Sequence, residues 1–274
     1  MIPVISASIV VFKNKAEDIE SISYTILNSY STCHLFIINN NPNESFKNQF
    51  LDNRITYIDV GENIGFGAAH NIGIKLALDH GSLYHFIVNP DVSFTLDVIP
   101  RMIDTMNSNQ NIGLLMPAIT NKDGSIQNLP KLLPTPFSLF ARKINSFLPL
   151  FNNYISDYEM RNLPLHGIFD VPIISGCFSV ISRTAINKIG MFDHRYFLYF
   201  EDWDLSRRVT KEFRTAIDTS VRITHNYNSD ANKSLKLFFI FLISAVKYFN
   251  KWGFIFDIDR VKYNRKAIDQ LKNV

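Results

Sequence analysis

At 274 residues, 46% hydrophobic and 19% charged, the chain can bury a sizeable core and lacks the charge of a disordered tail, so one folded unit with at most an appendage is expected. The net charge of +3 is unevenly held: residues 233–274 carry nine Lys/Arg and three Asp, a net of +6, which leaves −3 on residues 1–232. That acidic body argues against a nucleic-acid partner, and Cys33 and Cys177 sit in no CxxC or Cys/His cluster, which argues against structural zinc and for a reducing compartment.

The opening run "VISASIVVF" (4–12) has no basic flank or cleavage site before it and reads as a first strand rather than a signal peptide. A helix follows over Ala16 to Tyr30, with Ile19, Ile22, Ile26 and Tyr30 on one face. Then come "LFIIN" (35–39), "ITYIDV" (55–60), a helix from about Gly67 to Leu78, "YHFIVN" (84–89), a helix from about Leu96 to Met106, and "IGLLMPAI" (112–119). This alternation predicts an α/β fold with a mostly parallel central sheet flanked by helices, whose ligands bind beyond the carboxyl ends of the strands. Asn39, Asn63 and Asp91 all fall at or just after such ends. The four-proline stretch 129–154 reads either as a long packed loop or as a lipid- or acceptor-facing segment, and "VPIISGCFSVIS" (171–182) as a strand broken at Ser175-Gly176.

Four stretches can carry chemistry. In "GENIGFGAAHNIG" (61–73), His70 stands where a dinucleotide fingerprint needs its third glycine, so what remains is a tight turn feeding a helix N-terminus. That turn serves a phosphate or sugar, or only close packing. In "HFIVNPDVSF" (85–94), Pro90 ends the ladder and leaves Asp91 at the ligand edge, as a divalent-metal ligand or as a turn-forming cap. In "GMFDHRYFLYFEDWDLSRRV" (190–209), Glu201, Asp202 and Asp204 open a helical pattern, where they supply a general base or merely cap the helix. His225 follows a short strand and is structural unless Asp91 holds a metal.

In order, these pieces resemble the family 2 glycosyltransferases with the GT-A (Rossmann-like) fold, and most closely the rhamnosyltransferase-like branch acting on polyprenyl-diphosphate-linked saccharides. The resemblance runs from the first strand to about Phe249 and is weakest over 129–165. Its motifs stand here as Asn63, Gly65, Phe66, Gly67 and Asn71; Asn89-Pro90-Asp91; Gly176, Gly190, Phe192 and Asp193; the run Tyr199 to Leu205; and His225. It implies a Mg²⁺ or Mn²⁺ held by Asp91 with His225, Asp202 as the base that deprotonates the acceptor, and Glu201 as its acceptor-orienting neighbour. It places Phe12, Asn39, Asn40, Asn63, Gly65, Phe66, Gly67, Asn71, Asn89 and Asp91 at the donor, and Gly176, Trp203 and Asp204 at the acceptor. The sequence departs from the family at Phe12-Lys13-Asn14, where many members have Tyr-Asn, and at Asn39-Asn40, where an Asp usually meets the nucleobase. It lacks the QxxRW of processive members, which implies a single sugar addition. The resemblance alone implies which one: L-rhamnose from dTDP-rhamnose onto a polyprenyl-diphosphate-linked saccharide in surface-polysaccharide biosynthesis. The alternatives are a UDP-hexose or UDP-galactofuranose transferase, or a non-catalytic nucleotide-sugar-binding membrane scaffold.

The implied organisation is a GT-A domain over 1–232, with a nucleotide half (1–120) and an acceptor half (121–232), followed by a basic amphipathic helical C-terminal region over 233–274. There "SLKLFFIFLISAVKYFNKWGFIF" (234–256) has a longest uncharged run of ten residues, below the roughly 18 that a spanning helix needs. It reads as an interfacial segment, with Lys236, Lys247 and Lys251 toward lipid headgroups and Trp252 among them, or as a core helix covering the sheet. The first option places the protein in the cytoplasm, peripheral to the inner face of the cytoplasmic membrane. Exposed aromatics in this region leave room for a homodimer.

Overall fold

Ile and Val tolerate a strand covered on both faces, and the run Ile5–Val11 forms β1, buried at every residue but Val10, at the centre of a parallel layer. The computed structural model describes residues 4–226 and 235–273, so the expected boundary between residues 232 and 233 lies outside the described residues. Helix α1 (Ala16–Ser29) leads to β2 (Cys33–Asn39), then β3 (Ile55–Asp59), α2 (Phe66–Asp79) and β4 (Tyr84–Val88). These strands lie side by side in the order β3-β2-β1-β4, all parallel. Their register sets Val11 beside Asn39 and Asn39 beside Asp59, so the chain leaves three neighbouring strands along one edge.

Beyond β4 the sheet becomes mixed. After β5 (Val92–Ser93), α3 (Val98–Ser108) and β6 (Ile112–Thr120), the chain adds α4 (Pro136–Asn145), α5 (Asn152–Tyr158) and β7 (Ile168–Asp170). Then follow β8 (Phe178–Ser182), α6 (Arg183–Ile189), α7 (Glu201–Thr210) and β9 (Arg214–His225). Strand β8 enters antiparallel between β4 and β6, β9 runs parallel to β6, and β5 and β7 pair antiparallel with β9. The α/β expectation therefore stands, with the parallel pairings concentrated in the amino-terminal half.

Two sequence expectations need correction. The stretch 129–154 is not a long loop: Thr135 accepts from the Ser138 N–H in a capping box and Pro136 sits at the first helical position, so α4 starts there and α5 follows. Within 171–182, only Phe178–Ser182 is strand; of the residues before it, Val171 N–H donates to the Thr215 carbonyl of β9 (3.0 Å), and Ile173 pairs with Lys131 in an isolated bridge outside the strands.

The C-terminal region forms α8 (Leu235–Trp252) and α9 (Ile258–Asp269). The inner face of α8 buries Ser244, Ala245, Tyr248 and Phe249 against Tyr196 and Phe200, so it packs on the body as in the second expectation, but over the segment that leads into α7 rather than over the sheet. The groups assigned to lipid headgroups are mostly spent internally. Lys247 donates to the Arg195 carbonyl (2.6 Å), Lys251 to Asp193 (2.9 Å), and Trp252 Nε1 to Asp204 Oδ1 (2.8 Å). Among the described residues no helix is long and apolar enough to cross a membrane.

Candidate active site

Two consecutive bulky residues in the left-handed region, Tyr199 and Phe200 (φ +68° each), precede α7. Such a conformation costs on the order of 1–3 kcal/mol per residue and persists only where packing enforces it. Here the Phe200 ring is buried against Phe241 (5.2 Å between centroids) and Tyr248 (5.4 Å). The strained turn starts α7 directly at Glu201 and Asp202.

Asp202 is fixed by two backbone donors: Gly176 N–H reaches Oδ2 (3.1 Å) and Trp203 N–H reaches Oδ1 (2.9 Å). The next residue, Cys177, accepts at its carbonyl from Asn89 N–H (2.8 Å), two residues before Asp91. One dipeptide, Gly176-Cys177, thus joins the end of β4 to the start of α7. The break seen in the sequence at Ser175-Gly176 is what frees that N–H from the sheet. Burial pushes Asp202 up to about 6, against the pull of the two N–H donors and of the Lys131 charge. Its neighbour Glu201 is pushed well above the carboxylate range, first by burial and then by the charge of Asp202, and its Oε2 has no hydrogen-bond partner. Of the two carboxyls, Glu201 is therefore the one that holds its proton more tightly.

Asp91 and His225 meet because β5 pairs with β9, which sets Val92 opposite His225, and Asn226 N–H donates to the Asp91 carbonyl (2.8 Å). Asp91 Oδ1 lies 3.3 Å from His225 Nε2. Gln127 orients the ring: its Nε2 donates to the His225 carbonyl (2.9 Å), so its Oε1 faces Nδ1 (3.2 Å) as an acceptor. That holds the ring with its Nε2 edge turned toward Asp91. Asp91 Oδ1 is buried and accepts no hydrogen bond. A carboxylate oxygen and an imidazole nitrogen converging this way fit a divalent cation. Among the described residues no third His, Cys, Asp or Glu joins them, so oxygens of a diphosphate and water would complete the shell.

The other expected residues divide between the cleft and its scaffold. Phe12 follows β1 and is exposed, and the half-buried Asn89 and Trp203 flank the pieces just described. Gly65 (φ +90°) has no room for a side chain, since a Cβ would stand 2.3 Å from the Phe197 carbonyl oxygen, to which Phe66 N–H donates (3.0 Å). Asn63 accepts from Gly65 N–H (3.0 Å), and Asn40 Nδ2 donates to the Gly65 carbonyl (3.1 Å), so Asn40, Asn63 and Gly65 shape one loop. The Phe66 ring packs on His70 (4.4 Å), and Gly67 is buried where α2 passes Phe192 and Glu201.

Three expected site residues are held by the scaffold. Asn39 is fully buried and spends its amide on Glu44 O (2.6 Å), Asp59 Oδ1 (2.8 Å) and Asn41 N–H (3.0 Å), which braces the loop after β2. Asn71 makes a reciprocal pair with the Phe192 backbone (2.8 and 2.9 Å) and clamps α2 to the 190s segment. Asp204 is fully buried, paired with Arg208 (2.9 Å) and Lys251 (2.7 Å) besides Trp252, because its position on α7 points it under the helix.

The sequence reading missed Gln127 and Lys131. Lys131 is buried, donates to the Asn128 (3.1 Å) and Leu129 (3.0 Å) carbonyls, and is pulled down to about 7, chiefly by burial. Nothing in "PKLLP" marks such a lysine.

The family described as glycosyl transferase family 2 matches residues 8–190. A low-salt glycan biosynthesis hexosyltransferase, Agl10, of Haloferax volcanii is 24% identical over 95% of this chain and 80% of its own length. An N-acetylglucosaminyl-diphospho-decaprenol L-rhamnosyltransferase of Mycobacterium tuberculosis is 29% identical over 57% of this chain, which spans about half (53%) of that relative. Among solved structures, GalNAc-T7 with UDP, GalNAc and Mn²⁺ superposes with a TM-score of 0.61 at 10% identity, over 83% of this chain and 44% of that one. Residues 1–349 of S. aureus TarS superpose with a TM-score of 0.57 at 10% identity, over 97% of this chain and 71% of that one. Both structural likenesses bear on the fold alone.

Proposed function

Since the chain belongs to glycosyl transferase family 2 and is a glycosyltransferase, we propose that it is an inverting, metal-dependent enzyme that adds one sugar, L-rhamnose from dTDP-rhamnose, to a polyprenyl-diphosphate-linked saccharide at the inner face of the cytoplasmic membrane. Residues 1–120 take the nucleotide and 121–232 the acceptor. The mycobacterial relative, named for L-rhamnose transfer to a decaprenol-linked sugar, supports the choice of donor and acceptor. The observation that carries the reading is the Gly176-Cys177 dipeptide, which ties the strand end bearing Asp91 to the carboxylate of Asp202.

Asp202, ionised above its value of about 6, takes the proton of the acceptor hydroxyl as that oxygen attacks the anomeric carbon. The bond from this carbon to the diphosphate oxygen breaks with its electron pair going to the diphosphate. Attack from the face opposite the leaving group inverts the centre. Glu201, whose proton is held more tightly by burial, stands beside the base and orients the acceptor. Asp91 and His225 would hold Mg²⁺ or Mn²⁺, the imidazole favouring Mn²⁺, and the bound cation would supply charge neutralisation for the departing diphosphate.

Thermal stability with dTDP, UDP and GDP, each with and without Mn²⁺, tests this on wild type and Asp91→Ala. Ligand at a hundred times its dissociation constant adds about 2.7 kcal/mol, which over a chain of this length raises Tm by about 5 °C. A Mn²⁺-dependent rise with dTDP, absent in Asp91→Ala, is expected. A rise with UDP instead would move the donor to a UDP-sugar, and no rise with any nucleotide would sink the donor site.

A further inference from the structure

The turn between α8 and α9 is held rigid while its side chains point into solvent. Gly253 (φ +97°) opens it, and a Cβ there would stand 2.7 Å from the Phe256 carbonyl oxygen. The buried Arg260 guanidinium donates to the Ile255 (2.7 Å) and Pro134 (3.2 Å) carbonyls and fastens the turn to the body. Asp257 accepts from Arg260 N–H (3.0 Å), capping α9, and pairs with the buried Arg207 (2.5 Å). On this fastened backbone Ile255 is 76% exposed, Phe256 93% and Ile258 87%. A backbone tied down by two buried guanidinium groups does not leave such side chains outside for want of order. They are presented to a partner.

We propose that this turn is a lipid-inserting wedge, with Ile255, Phe256 and Ile258 entering an anionic bilayer surface and Lys262 and Arg265 of α9 meeting its headgroups. Charge selects the occupant. Lys262 and Arg265 make no ion pair among the described residues, and residues 233–274 carry a net +6. A two-fold contact with a second copy would set two such units against each other, whereas an anionic bilayer supplies the opposite sign beside an apolar layer. The outer stripe of α8 is also apolar, but the amino groups of Lys247 and Lys251, which would have flanked it, are engaged by the Arg195 carbonyl and by Asp204. The wedge deepens the proposed function and rests on it only for the lipid-linked acceptor that makes membrane docking useful.

The full-length chain, with neither donor nor acceptor present, is sedimented with vesicles of phosphatidylcholine alone and with vesicles of equimolar phosphatidylcholine and phosphatidylglycerol. Because no sugar transfer is read, the result is independent of the transferase reading. Wild type is expected to partition onto the anionic vesicles. A Phe256→Ser/Ile258→Ser double variant, altered only at exposed positions and checked for an unchanged Tm, is expected to bind at least tenfold more weakly. Lys262→Glu/Arg265→Glu should weaken anionic binding and leave the neutral vesicles unaffected. Equal binding of wild type to both vesicle types, or undiminished anionic binding by the double Ser variant, would overturn the proposal. So would a wild-type dimer in sedimentation that the double Ser variant dissolves, which would assign the wedge to a second copy.

Discussion

Asp202 makes a prediction that pH and one substitution can test together. Its carboxyl is pushed up to about 6 chiefly by burial, so the ionised fraction is about nine-tenths at pH 7 and about one-tenth at pH 5. The sign follows from the raised value: the proton is held more tightly in the fold, so its stabilising share is present below the ordinary carboxylate pKa and lost as pH rises through about 6. Activity runs the other way, because only the ionised form takes the acceptor proton. The kcat/KM measured by nucleoside diphosphate release should therefore fall close to tenfold per pH unit below about 6 and level off above it. Asp202→Asn keeps the volume and one acceptor for the Gly176 or Trp203 N–H, yet removes the base, so kcat should fall by about 10²–10⁴-fold. Lys131→Met removes a charge that holds Asp202 down and should move the acid limb to higher pH, while Lys131→Arg should leave it nearly in place. A folded Asp202→Asn enzyme with more than about a tenth of wild-type activity, or a profile flat between pH 5 and 7, would refute the assignment.

Two further outcomes follow from the packing. Asp204→Ala leaves Arg208 and Lys251 without their shared buried partner; breaking such a pair costs about 3–5 kcal/mol, a fall in Tm of about 5–9 °C for a chain of this size, and calorimetry showing less than about 2 °C would mean that Asp204 is not the lock described here. Gly65→Ala forces a Cβ to within 2.3 Å of the Phe197 carbonyl oxygen, so the nucleotide-dependent thermal shift should disappear while far-ultraviolet circular dichroism keeps the helix and strand content; an unchanged shift would show that the turn does not shape the donor site.

The parallel half of the fold was legible because its strands are short β-branched runs alternating with helix-period segments, and the first strand and helix fall within a few residues of where the pattern places them. Asp91 was legible for a related reason, since Pro90 announces where the ladder must stop. The internal partners of Asn39, Asn71 and Asp204 were not legible, because a motif fixes a position in the chain but not which way a side chain points. Asn39 faces Glu44 and Asp59, and Asp204 faces Trp252, 48 residues away. Helix α4 did carry a signal, the Thr135-Pro136 start with Ser138 closing the box, but the prolines around it outweighed it. Gln127 and Lys131 carried none, because their roles depend on β9 and α7 arriving from about a hundred and about seventy residues later.

The grip of Trp252 and Lys251 on Asp204 has an evolutionary consequence. Asp204 lies two residues beyond Asp202 on the same helix, so the segment that closes over Asp204 also forms part of the floor beneath the catalytic turn. A tail that can be exchanged between enzymes must be joined to its carrier by a neutral seam, and here the seam is a buried carboxylate. A descendant that acquired a new tail by recombination would have to refound its own active site at the same step, so the outer faces of α8 and α9 are expected to change by substitution rather than by exchange of the tail.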